Sequence, residues 1–261
     1  MKYVIFSFDD GRKDQYEIGY KVLKEYGFPA TINVVSSFVD LGVGDFDTIG
    51  NKAVLWDEVV EMANGGWEIA CHGAEHDNSV EGAFAWLGNE SIIKNGWNEA
   101  PGFASPGSGL TESNCDEIRR LAKDGKLSYI RSGKQTRREG LWYIVKTVVN
   151  RYLKSRRLFV AMNRDCILKA SDREKYLAGD KIIMSVGITA YDTADEVKAL
   201  IDEVRDDEAV ILMMHSIVDD AEARKATDRW YWETSKLREV CEYISRMADV
   251  RVVTTREWLK M

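Results

Sequence analysis

Long apolar runs are missing from this 261-residue chain. No stretch approaches the ~18 uncharged apolar residues of a membrane span, so a transmembrane segment is not expected. An excess of basic charge is missing too. Thirty-six Lys and Arg face 43 Asp and Glu, for a net charge of −7 and a pI near 5.2, which argues against a nucleic-acid binder needing a basic face. The four cysteines (Cys71, Cys115, Cys166, Cys241) are scattered without a C-x-x-C pair, a pattern that reads as reduced, buried and inert thiols. Only three prolines occur. With no Pro/Gly-rich linker, internal repeat or low-complexity tract, the chain reads as one domain over 1–261. Aspartates already appear in MKYVIFSFDD, where a secretory leader would still be apolar, so the expected location is cytoplasmic.

Histidine is scarcest in the way that matters most: three residues, His72, His76 and His215. The first two stand four apart in HGAEH. The third follows the apolar run AVILMM. Upstream of them, VIFSFDDG sets Asp9 and Asp10 at the end of an apolar strand.

Strand-like and helix-like patterns alternate along most of the chain. Strands are expected at 3–8, 29–35, 66–72, 102–106, 127–132, 181–188, 209–214 and 250–254. Helices are expected over about 13–26, 55–63, 193–205 and 233–247, with another carrying Ile118, Leu121 and Ala122. Such repetition predicts parallel strands wrapped by helices, and seven or eight units in this length suit a distorted (β/α) barrel better than an open sheet. Asp9, Asp10, His72, the loop after Pro106 and His215 all fall at C-terminal strand ends, which a barrel gathers on its catalytic face. A helical insertion near 134–175 interrupts the rhythm, with Leu141, Val145, Val148 and Tyr152 on one stripe. It carries Arg137, Arg138, Lys146, Arg151, Lys154, Arg156 and Arg157 against Glu139 alone. That basic run is either a solvated face or a guide for an anionic group on a substrate.

Neighbouring strand residues cannot both face one site, so Asp9 and Asp10 act together only if the strand ends there, and Gly11 permits that turn. One carboxylate then binds a metal while the other stays free as a base; the alternative is that both cap the following helix. Gly73 argues for a tight loop or a single turn at HGAEH, and excludes the zincin H-E-x-x-H; the alternative is two unrelated surface histidines. Two imidazoles and one carboxylate form a common catalytic zinc set. His215 is either a buried core histidine or a general acid.

Together these residues resemble the polysaccharide deacetylase family (carbohydrate esterase family four, the chitooligosaccharide deacetylase homology domain). FDDG resembles its first motif, HGAEH its second, FASPGSG its third and ILMMHS its fifth, in family order, from residue 3 to VVTTREWL. The resemblance implies a distorted barrel that hydrolyses an N-acetyl group on an amino sugar, polysaccharide or glycoconjugate. It implies Asp9 as base, His215 as acid, and Asp10, His72 and His76 as ligands of one divalent metal, zinc first. A backbone N–H near Gly107 would serve the oxyanion, with Met213, Asp192, Trp230 and Trp232 as further candidates for lining or supporting the site. Departures stand beside it. Ala104 occupies the place of an arginine that orients the base, Gly107 that of an aromatic, and Gly73 that of a Ser/Thr supporting the ligand loop. The fourth motif is placed only at Asp192. A non-sugar amide substrate, or a silent relative that binds sugar or metal without turnover, are the alternatives.

Overall fold

The structure is a computed structural model that describes residues 1–46, 52–133, 148–149, 152–223 and 229–261. Seven strands run parallel: β1 (Lys2–Asp10), β2 (Thr31–Val34), β3 (Glu68–Cys71), β4 (Gly102–Ala104), β5 (Tyr129–Gly133), β6 (Ile183–Gly187) and β7 (Ala209–Met214). Each pairs with the next, and β7 pairs back onto β1, closing the barrel. Two short strands, β8 (Ser216–Val218) and β9 (Tyr231–Glu233), pair with each other, and β10 (Val250–Val252) joins the barrel from outside the ring.

The distortion has a definite place. One edge of β1 is occupied by β7 from Tyr3 to Phe8. The opposite edge is shared, with β10 alongside Lys2 to Val4 and β2 alongside Ser7 to Asp10. β2 therefore pairs along its whole length with the upper half of β1 only, and the eighth strand fills the gap below. The expectation of seven or eight strands resolves as seven in the ring and one appended.

Alternation along β1 sorts its side chains. Val4, Phe6 and Phe8 point outward into the layer beneath the helices, where Phe8 stacks on Trp67 at 5.1 Å. Ile5 points inward and packs with Tyr129, Ile183, Ala209 and Ile211, closed from below by Trp258 and Leu259 of the helix Thr255–Leu259. Burying each such side chain is worth about 1.5–3 kcal/mol. Above that apolar floor the interior turns polar: Ser7, Thr31, Asn33, Glu68, Arg131 and Ser185 are all buried there. Glu68 is satisfied by donors from Thr31, Tyr129 and the backbone of Arg256, which is the condition for burying a carboxyl group.

The expected strands and long helices are present within a few residues. The helix expected over 13–26 is instead a π-helical turn, Gln15–Tyr20, running into an α-helical turn, Lys21–Glu25. Helices Ser36–Leu41, Val80–Leu87 and Glu90–Lys94 and the β8/β9 pair were not anticipated; each is too short to show a repeating period. Arg137, Arg138, Leu141, Val145, Lys146 and Arg151 of the basic insertion lie outside the described residues. Within them, Arg156–Asn163 is helical, Arg156 pairs with Asp195, and Val148 and Tyr152 are exposed rather than forming an apolar face. Among the described residues, no helix is long and apolar enough to cross a membrane.

Candidate active site

Asp9 and Asp10 do face one site, by a route the sequence only half disclosed. β1 pairs with β2 through Asp10, but Asp10 and Gly11 both adopt positive φ, +79° and +75°. Left-handed backbone at a non-glycine residue is strained and persists where the surroundings enforce it. Here it breaks the alternation and turns the second carboxylate toward the same side as the first.

His72 follows β3 directly. Its Nδ1 lies 2.9 Å from the carbonyl of Ala104. A carbonyl only accepts, so Nδ1 carries a proton, and Nε2 is the nitrogen that presents a lone pair when the ring is neutral. That Nε2 stands 3.3 Å from Oδ1 of Asp10, as does Nε2 of His76. The three donor atoms lie within 4.8 Å of one another, the sole such grouping among the described residues. Oδ1 of Asp10 is buried without a hydrogen-bond partner, while Oδ2 is clamped by Nε and Nη2 of Arg12 at 2.9 and 2.8 Å. One oxygen is thus tied to a guanidinium and the other left facing two imidazoles. An orphaned anionic oxygen and two convergent imidazoles fit a divalent cation.

The HGAEH segment is a loop, as Gly73 suggested. Gly73 has φ +75°, and a Cβ there would sit 2.6 Å from the carbonyl oxygen of Asp77, so the loop leaves no room for the Ser/Thr found at this place in the motif it resembles. Cys71 points the other way, into the core; burial pushes its thiol pKa up, and it is no ligand. Phe38 stands beside His76 at 6.1 Å between ring centroids.

Asp9 is held from two sides. Arg131 of β5 donates to its Oδ1, as does Nδ2 of Asn33 at 2.8 Å. Arg131 also donates to Oγ of Ser185 at 3.0 Å. The arginine missing at Ala104 is replaced from the next strand: the guanidinium of Arg131 comes from the position paired with Ala104. An arginine at an inward position of a fully buried strand was the signal that could have found it. Burial works to raise the Asp9 pKa, but Arg131, His72 and His215 outweigh it and hold the carboxyl below its ordinary value. Burial likewise opposes ionisation of Asp10, and His215, His72, His76 and Arg12 hold it well below the usual range.

His215 follows β7 and faces the barrel interior. Burial depresses its pKa, against the pull of Asp10 and Asp9. Its Nδ1 has no hydrogen-bond partner among the described residues. Asp192 does not support it, because that carboxylate accepts from the backbone N–H and Oγ1 of Thr189 at 2.7 and 2.8 Å. Burial raises the Asp192 pKa to about 6. Trp230 packs against the His215 ring at 4.9 Å and keeps some exposure. Trp232 is fully buried, donates Nε1 to the Asp192 carbonyl and is removed from any ligand's reach. Met213 is buried between Gly133 and Gly187 inside the barrel, and Gly107 sits exposed at φ +56° in the turn after β4. Sequence reasoning missed Arg12, Gln15, Asn33 and Arg131.

Residues 1–99 match the sequence model of a family described as polysaccharide deacetylase. A Bacillus subtilis (strain 168) protein designated polysaccharide deacetylase YxkH is 38% identical over 76 residues, 29% of this chain and 24% of that one. The match thus spans about a quarter of that relative's length. Three solved structures share the fold over 99% of this chain. They are a Mycobacterium smegmatis protein designated a polysaccharide deacetylase (TM-score 0.54, 15% identity, 89% of that chain), the T48 deacetylase with substrate (0.52, 13%, 91%) and the peptidoglycan deacetylase PdaC from Bacillus subtilis (0.50, 14%, 90%). The resemblance read from the motifs therefore holds, by sequence over the first 99 residues and by fold over the whole chain.

Proposed function

We propose, from that kinship to polysaccharide deacetylases, that this chain is a metal-dependent hydrolase removing N-acetyl groups from an amino-sugar polysaccharide, oligosaccharide or glycoconjugate. The observation that carries the reading is the orphaned Oδ1 of Asp10 facing Nε2 of both His72 and His76, with Asp9 and His215 on the same face of the barrel. Asp10, His72 and His76 would hold the cation, zinc being the natural choice for a carboxylate and two imidazoles. When bound, such a cation supplies Lewis acidity toward the acyl oxygen and makes water a better nucleophile at neutral pH.

The remaining work falls to the chain's own side chains. Asp9, kept ionised by Arg131, accepts the proton of the attacking water at a carboxylate oxygen. His215 delivers a proton to the departing amine. A backbone N–H near Gly107 steadies charge developing on the acyl oxygen. Phe38 beside His76 and Trp230 beside His215 offer flat apolar surfaces for a sugar ring. The basic residues of the 137–157 stretch would favour a substrate that also bears an anionic group, and the reaction would take place in the cytoplasm.

The test is acetate release from N-acetylated oligosaccharides, with metal analysis of the same preparation. One equivalent of metal with acetate release supports the reading. Amide hydrolysis without metal, or bound metal without turnover on a broad panel, refutes it.

A further inference from the structure

We propose that Gln15 is a positioning residue that sets the separation between Asp9 and His215 by tying together the two strands that carry them. The proposal rests on the reading of those two residues as base and acid. β1 and β7 run in parallel register from Tyr3 beside Ala209 to Phe8 beside Met214. Continued by one step, that register sets Asp9 beside His215. The pairing stops at the step before them, because the chain turns at Asp10 and Gly11 on one side and enters β8 on the other.

Gln15 occupies that opening. Its side-chain Nε2 donates to the main-chain carbonyl of Asp9 and, at 3.0 Å, to that of His215. One amide nitrogen thus stands in for the missing rung, between the residues proposed to take and give protons. Gln15 is fully buried, and its Oε1 has no hydrogen-bond partner among the described residues. Leaving a buried amide oxygen unsatisfied is costly, so a glutamine there needs a compensating use for its donors. Gln15 also opens the π-helical turn Gln15–Tyr20, and π-turns occur often at functional sites because they re-aim side chains that a regular helix would misplace. Nothing in this arrangement touches the proposed metal ligands' donor atoms, so Gln15 acts on the geometry of proton transfer and not on the cation.

Gln15→Met keeps the length of the side chain and removes both donors. The experiment measures kcat, KM and bound metal per chain for the variant, and determines its crystal structure beside that of the wild type. A shift of the reacting groups by about 1 Å can cost on the order of a hundredfold in rate. The expected result is a kcat roughly tenfold to a hundredfold lower on that basis, with KM and metal content unchanged and the Asp9 and His215 backbones moved apart. Leu237→Ala, a core change in the helix Thr234–Ser245 that touches neither Asp9 nor His215 by any hydrogen bond among the described residues, controls for general destabilisation. A kcat loss no greater than that of Leu237→Ala, or strand ends that stay in place, overturns the proposal. If Gln15→Met does not fold, Gln15→Asn serves. It keeps the amide but cannot span both carbonyls, and wild-type kcat in that variant is equally contrary. Should the wild type itself release no acetate, the functional reading fails alone, and the strand-end separation still decides the part played by Gln15.

Discussion

Replacing Arg131 with methionine is the perturbation whose consequence the structure states most sharply. Arg131 is 1% exposed and Asp9 3%. The guanidinium donates to the Asp9 carboxylate and to Ser185. Removing it leaves a buried anion with the Asn33 amide as its remaining side-chain donor. Breaking a buried ion pair from one side costs about 3–5 kcal/mol, most of it the penalty for the charge left behind. For a chain of this size each kcal/mol lowers the melting temperature by about 2–4 °C, so Arg131→Met should melt roughly 6–20 °C below the wild type. The informative comparison adds Asp9→Asn to Arg131→Met, which removes the stranded charge. Thermal unfolding followed by calorimetry at pH 7 should show the double variant recovering at least half of the loss. A double variant no more stable than Arg131→Met alone would falsify the electrostatic account and make Arg131 a packing residue.

Asp9→Asn and His215→Ala should each lower kcat at least a hundredfold with metal still bound, the scale of a lost acid or base; full activity in either removes its assigned role. His72→Ala should lose the metal, read by elemental analysis, and retention of one equivalent contradicts its place as a ligand. Gly73→Ser should weaken metal binding, because a Cβ there meets the Asp77 carbonyl; an unchanged affinity by chelator competition shows that the loop adapts. Asp192 gives a pH signature. Its folded pKa is raised from 3.8 to about 6 by burial, so its contribution to stability is complete below pH 3.8 and lost as pH rises through about 6. Asp192→Asn should therefore gain stability relative to the wild type between pH 4 and 7, and parallel stability curves would show that the carboxyl titrates normally when folded.

The barrel was readable because its strands are buried on both faces and stand out as apolar runs such as AVILMM, with helical stripes between them. Which strand ends carry polar residues was equally visible, and that was enough to bring Asp9, Asp10, His72, His76 and His215 to one face. What could not be read depends on contacts across the ring. Arg131 lies far from Asp9 in sequence and Asn33 on the neighbouring strand; an arginine inside a strand was visible, but nothing local says which carboxylate it reaches. The clamp of Arg12 on Asp10 follows from a left-handed turn at Asp10, a conformation that a non-glycine residue rarely signals. Trp230 and Trp232 looked alike two residues apart; β9 sends one into the core and leaves the other beside His215. Asp192 serves its own turn at Thr189, and burial of an isolated aspartate near a helix start gave no means of telling that role from support of a histidine.

The most direct measurement follows acetate release from an N-acetylated chito-oligosaccharide by one preparation in three states: as purified, after chelation and dialysis, and after zinc is returned. Activity that disappears with the metal and comes back with one equivalent per chain is the predicted result. Activity that survives complete metal removal would contradict the central claim that Asp10, His72 and His76 act by holding a cation.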